Sequence, residues 1–342
     1  MKTTLKTLTA FALTATALGL QAQTLNLYSA RHYDTDEALY TDFTKATGIK
    51  INRIEVGDDA LIARLASEGN KSPADVVLMV DASRMIKGQI EGLFATVDSA
   101  VLKNAIPAQY RAADNSWFGL TTRARTVVYN KARVNANEVD AYEKLADPVN
   151  KGKLCTRTGS HPYNLSLFGA MVERLGVPKT EDLLKGYVAN MARKPVGGDT
   201  DQIKAVGSGE CGVALVNTYY WLRALRSNKP EDVAMVAKIG MVWPNQTAPY
   251  ASGTHLNIAG AAVAKYSPNK AAAIQFVEYL ASPAVQGKFA DGNNEWPLNK
   301  AAKINNPALA NLGSFIAETV PASAFALRQV TAQRLLNQVG YQ

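Results

Sequence analysis

Apolar positions along this chain follow two alternating rhythms. "TLNLYSA" and "IKINRIEV" read as strands, and "ADVVLMV" is apolar at successive positions, the pattern of a strand buried on both faces. Between them, "TDEALYTDFTKATG" repeats its apolar residues at three- and four-residue spacing and closes at Gly48, and "DDALIARLASEGNKSPA" carries a second helical face. The alternation continues along the rest of the chain. A βαβαβ order predicts parallel sheets covered by helices on both faces, with ligands held beyond the carboxyl ends of the strands. Two extended segments, "SWFGLTTRARTVVYNK" and "KIGMVWPNQTAPYASG", are candidate crossovers between two lobes. With the chain leaving at one and returning at the other, the lobes are discontinuous: 23–121 with 245–298, and 122–244 with 299–342. Extended crossovers of this kind would make a hinged cleft.

The first 22 residues break the rhythm. "MKTTLKTLTAFALTATALGLQA" has Lys2 and Lys6, then an uncharged apolar stretch, then small residues. That layout predicts a cleaved export signal, with cleavage after Ala22 and a weaker alternative at Ala15-Thr16-Ala17. No later segment is apolar over 18 residues, so the product is expected to be exported without membrane insertion. Removing Lys2 and Lys6 takes the formal charge from +8 to +6. The remaining cations are scattered, without a basic run or aromatic interleaving, which argues against a nucleic-acid partner. In an exported chain the two cysteines, Cys155 and Cys211, suggest a disulfide between adjacent strands. The competing reading, a two-cysteine metal site, lacks any CxxC spacing.

Catalytic signatures are missing: there is no GxSxG, HExxH, P-loop or strand-to-helix GxGxxG. His32, His161 and His255 have no i,i+4 partner of the metal-binding kind. What stands out is "GVALVNTYYWLRALR", where Tyr219 and Tyr220 lie side by side as an apolar run turns into a helix. Tyr33 occupies the equivalent place after the first strand. Tyr28, Tyr129 and Tyr40, like Trp117, Trp221, Trp243 and Trp296, sit in patterns better suited to packing.

Seven pieces in order, "LYSARHYDTDEALYTDFTKATGIKI", "SPADVVL", "WFGLTTRARTVVYN", "TRTGSHPYN", "LVNTYYWLR", "SGTHLNIAG" and "AAIQFVEYLASPAVQGKFAD", resemble the periplasmic ferric-ion-binding proteins of ABC transporters. The resemblance covers nearly all of the chain after the leader. It implies an α/β two-lobed periplasmic binding protein fold of type II, with two discontinuous domains joined by a β hinge around a central cleft. It also implies Fe³⁺ as the carried ligand, completed by a water or a synergistic anion, and delivery to an inner-membrane ABC permease. The family's adjacent tyrosines match Tyr219 and Tyr220, and its first-loop ligand matches His32 or Tyr33. One branch places a glutamate at the end of the third strand, where this chain has Val80. Another adds a tyrosine matched here by Tyr163. The chain thus resembles the tyrosine-rich branch, with Tyr33, Tyr163, Tyr219 and Tyr220 as ligands; His32 is either a further ligand or packs or hydrogen-bonds beside Tyr33. A monomeric, non-enzymatic carrier in the periplasm is expected.

Elementary chemistry agrees with that set. Iron(III) is small, highly charged and hard, and phenolate is a hard anionic oxygen donor. Phenol ordinarily titrates near 10, so binding must drive off protons, and a helix N-terminus at Tyr219 and Tyr220 favours the phenolate. Four phenolates around Fe³⁺ leave an excess negative charge that calls for cations nearby. Arg223 follows Tyr220 and Tyr219 at helical spacing, and Arg123 lies on the first crossover, with Arg125 a less favoured choice of the same strand parity. Two other functions compete with that reading. One is carriage of an organic or oxyanion solute such as thiamine, a polyamine or a phosphonate. The other is an exported metalloenzyme with tyrosinate-bound iron.

Overall fold

The computed structural model describes residues 23–31 and 33–341; His32 and the leader with its Ala22 cleavage site lie outside the described residues. The first three strands are those the periodicity predicts: β1 Thr24–Ser29, β2 Lys50–Glu55 and β3 Val76–Met79. The helices Asp36–Thr47 and Asp58–Glu68 run between them. Gly48 closes the first of these with φ 75°, the left-handed C-terminal conformation that glycine adopts without steric cost. β1 pairs in parallel with β2 and with β3.

Beyond that point the sheet departs from an all-parallel arrangement. β4 (Phe118–Asn130), β5 (Leu154–Cys155), β6 (Val213–Asn217), β7 (Ile239–Val242), β8 (Leu256–Val263) and β9 (Trp296–Pro297) complete a mixed sheet in the order β2-β1-β3-β8-β4-β6-β5, with β7 and β9 also paired to β4. β8 is antiparallel to both β3 and β4. The reason lies in β4, which is 13 residues long. Its first half, to Ala124, pairs with β8, and from Arg125 onward it pairs antiparallel with β6. One strand therefore belongs to both lobes, and β8 returns beside it in the opposite direction.

The inner strands are buried on both faces, which is why β3 and β6 read as nearly continuous apolar runs, whereas the edge strand β2 has no buried residue. Leu25, Leu27, Val76 and Leu78 join one core while Tyr28, Val77 and Met79 join the core on the opposite face. In the second lobe Val127, Val213 and Leu215 face one way and Val128, Ala214 and Val216 the other. The helix Ala322–Gln338 packs on Pro162–Leu175 and on Ala82–Ile90, so the C-terminal helix touches elements of both lobes.

Cys155 and Cys211 are joined, with Cα atoms 5.9 Å apart. β5 and β6 are parallel neighbours, and the bond fastens the end of β5 to the residues entering β6. Those two strands lead to Tyr163 and to the Tyr219–Tyr220 pair. Closing a loop across a separation of 56 residues stabilises the fold by roughly 4 kcal/mol in the chain-entropy account. A Cys155→Ser, Cys211→Ser variant is therefore expected to unfold at markedly lower denaturant concentration, by about 2–4 kcal/mol in urea titration; an unchanged midpoint would show that the bond contributes little.

Candidate metal centre

Tyr33 follows β1, Tyr163 opens the helix Pro162–Leu175, and Tyr219 and Tyr220 open the helix Thr218–Leu225 immediately after β6. These are the positions where α/β folds present ligand-binding groups. Local chemistry sets each one. Pro162 occupies the first turn of its helix, and the His161 ring caps it, Nδ1 accepting from the Tyr163 N–H at 3.2 Å. Because Nδ1 accepts that bond, the ring is neutral; burial, then the nearby Arg157, push its pKa down to about 3.

The four tyrosines converge on one cavity of about 450 Å³, which Val80, Asp58, His161, Arg157 and Arg223 also line. The Tyr163 and Tyr219 hydroxyls are 2.9 Å apart, the Tyr219 and Tyr220 rings have centroids 4.3 Å apart, and Tyr33 meets Tyr219 edge-on at 6.2 Å. This last contact crosses the cleft, since Tyr33 comes from the first lobe and Tyr219 from the second. Val80 adds an apolar side chain to the cavity wall. Burial drives the pKa values of Tyr33, Tyr163 and Tyr219 upward, and the mutual proximity of the phenols reinforces the shift.

Both expected arginines lie at this cluster. Arg123 is 1% exposed, and its Nε, Nη1 and Nη2 atoms have no hydrogen-bond partner among the described residues. Its guanidinium is 5.9 Å from the Tyr163 ring centre. Burial opposes the charge on Arg123, but Tyr163, Glu295, Tyr219 and Tyr33 outweigh it and raise the pKa. Arg223 lies 5.5 Å from the Tyr220 ring. Arg125, by contrast, is consumed by Asp199, Asn217 and Asn164 within the second lobe. His255 is not at the cavity; it bridges Ser166 and Glu318 in the buried hinge region.

Sequence reasoning missed three members of the site. Glu295, 1% exposed, accepts from Tyr33 Oη at 3.3 Å, Thr121 Oγ1 at 2.8 Å and Arg31 Nη1 at 3.2 Å. Arg157 stands 4.9 Å from the Tyr163 ring and is tethered to Asp199 at 3.3 Å. Asp58, at the start of its helix, accepts from the Val80 N–H; burial and then Asp81 raise its pKa to about 7. Only Arg157 had a sequence cue, two residues beyond Cys155 and ahead of "HPY".

Such a cluster suits a trivalent cation. Phenols set against guanidinium groups form a pocket in which a metal can take the phenolate oxygens while their protons leave to water, the nearby cations offsetting the new negative charge. Residues 29–287 match the profile of the bacterial extracellular solute-binding proteins. The chain belongs to that family. This solute-binding protein is 41% identical to iron uptake protein A1 of Synechocystis over 94% of its own length and 88% of the relative's. It superposes on a Trichodesmium protein solved with iron and citrate ligands at a TM-score of 0.86 and 45% identity, covering 93% of this chain and all of that one. A ferric binding protein from Campylobacter jejuni superposes at a TM-score of 0.88 with 35% identity, again over 93% of this chain and 100% of the other. These neighbours share the two-lobed type II architecture described above.

Because the Arg123 guanidinium has no hydrogen-bond partner among the described residues, a direct expectation follows. Substituting Arg123→Met should weaken iron binding by on the order of a hundredfold, the range seen when groups behind metal ligands are removed. The iron-free protein should change little in stability, because the cost of burying a guanidinium without hydrogen bonds and its attraction to Glu295 are lost together. Chelator competition and urea titration read the two effects separately; a destabilised apoprotein with unchanged iron affinity would make Arg123 a purely structural residue.

Proposed function

We propose that this protein captures ferric iron in the interlobe cleft and hands it to the permease of an ABC importer. The observation that carries the reading is the convergence of Tyr33, Tyr163, Tyr219 and Tyr220 from both lobes on one cavity, backed by the buried Arg123. Four phenolates and Fe³⁺ sum to −1, and the buried Arg123 guanidinium neutralises that charge from behind the cavity. Arg157 and Arg223 at the wall leave room for a carboxylate-bearing or oxyanion co-ligand, or a water. His32, beside Tyr33 in the chain, is a further candidate ligand.

The names of the relatives support the same ligand: the Synechocystis protein is an iron uptake protein, and the Neisseria meningitidis relative, 29% identical over 99% of each chain, is a ferric iron-binding protein. In this reading the first 22 residues direct export to the periplasm and are removed, the protein acts as a monomer, and it performs no chemistry on its cargo. The lobes are taken as 23–121 with 245–298 and 122–244 with 299–342. A polyamine carrier would need a carboxylate cage, whereas phenols dominate here.

Mixing the apoprotein with ferric citrate and recording a visible spectrum tests the proposal. Tyrosinate-to-iron charge transfer should colour the protein. A colourless product from which no iron can be recovered after desalting would defeat it.

A further inference from the structure

The helix Thr218–Leu225 bears Tyr219 and Tyr220 in its first turn and Arg226 at its C-terminal cap. Arg226 reaches out of the second lobe. Its Nη1 donates at 2.7 Å to the Asp291 carbonyl and at 2.7 Å to Asn294 Oδ1, both in the first lobe. The receiving side is packed and hydrogen-bonded. Asn294 is 4% exposed and left-handed at φ 59°, and its Oδ1 also accepts from Asn306 Nδ2 at 2.8 Å. The next residue, Glu295, is the one that holds Tyr33. Midway along the helix, Leu222 packs with Ala290 and Leu309. A second cavity of about 750 Å³ lies beyond Tyr220, walled by Thr35 and Gly292 on one side and by Thr200, Lys204 and Tyr220 on the other, with Arg226 and Asn294 among its lining. The two lobes thus face each other across an opening, and Arg226 donates hydrogen bonds across it.

We propose that Arg226 is an interlobe clasp that sets how long bound iron is retained, acting without contact to the metal. The bond ties the helix carrying two second-lobe tyrosines to the segment whose next residue positions first-lobe Tyr33. Release of iron requires those two groups of ligands to separate, and separation stretches the Arg226 bonds before any phenolate need leave. A charged donor to a fixed carbonyl and amide oxygen suits a reversible fastening: each bond is modest, and both are lost together on opening. This inference rests on the ferric-iron reading above.

The test uses the iron-loaded protein without its leader, carrying Arg226→Ala or Arg226→Lys. Stopped-flow loss of colour into excess chelator should run about tenfold faster in R226A, the equivalent of losing roughly one to two net hydrogen bonds, and R226K should fall between R226A and wild type. The charge-transfer band should stay where it is in wild type. Small-angle scattering of the iron-free proteins should give a larger radius of gyration for R226A. Equal release rates and equal radii would overturn the clasp, and so would a displaced band, which would place Arg226 among groups acting on the ligands. Were wild type to take up no iron, the proposed function would fail while the scattering comparison still decided the clasp. Were R226A not to fold, R226K would decide it by the same two measurements.

Discussion

Replacing Tyr219 with phenylalanine should lower iron affinity by more than about a hundredfold, beyond the loss typical for outer-sphere partners of a metal ligand. Among the four tyrosines it has the most central contacts: its hydroxyl lies 2.9 Å from that of Tyr163, its ring packs on Tyr220, and its edge meets Tyr33 across the cleft. Phenylalanine keeps those ring contacts and removes one anionic oxygen. In the iron-free protein the change removes a single hydrogen bond, so stability should fall by only about 1 kcal/mol. The signature is the disparity between the two numbers, read by chelator competition and by urea titration. Affinity within a few-fold of wild type would place the metal elsewhere, and a collapse of apoprotein stability would recast Tyr219 as a core residue.

Local pattern carried the early part of the fold because each element there is bounded by short-range signals. Gly48 ends the first helix, and the run "ADVVLMV" becomes a strand buried on both faces. Strand direction was less legible. The antiparallel placement of β8 between β3 and β4 depends on pairing across well over a hundred residues, and no periodicity encodes it. The site divides in the same way. Tyr33, Tyr219 and Tyr220 announce themselves at strand ends, and Arg223 follows from helical spacing. Glu295 does not: it lies 262 residues from the tyrosine it holds, in a stretch, "DGNNEWP", with nothing to distinguish it from a loop. Arg123 could be placed on the crossover from sequence, but that its guanidinium has no hydrogen-bond partner among the described residues is a property of the packed cleft. The same holds for Arg125, which has the same strand parity yet spends its charge on Asp199.

Iron binding should release one proton for each tyrosine that ligates, and affinity should therefore rise steeply with pH. In the iron-free protein, burial holds Tyr33, Tyr163 and Tyr219 well above the ordinary phenol value, so these groups are fully protonated at neutral pH and below. Fe³⁺ takes the phenolate form, which makes the loaded state the one with fewer protons; raising pH favours it and lowering pH opposes it. Each released proton changes the binding constant about tenfold per pH unit, so three tyrosines give about a thousandfold and four about ten-thousandfold per unit. Arg123 and Arg157 do not alter the sign, since guanidinium stays charged throughout. They lower the cost of forming the phenolates and so set the pH at which the curve lies, leaving its slope to the number of phenols. Titrating the protons liberated on adding a ferric chelate of known protonation in weakly buffered solution, alongside competition measured from pH 5 to 8, gives the count directly. Three or four protons match this cavity, three implying that one of the four tyrosines stays a phenol. A flat profile with no proton release would mean that the phenols are not the ligands.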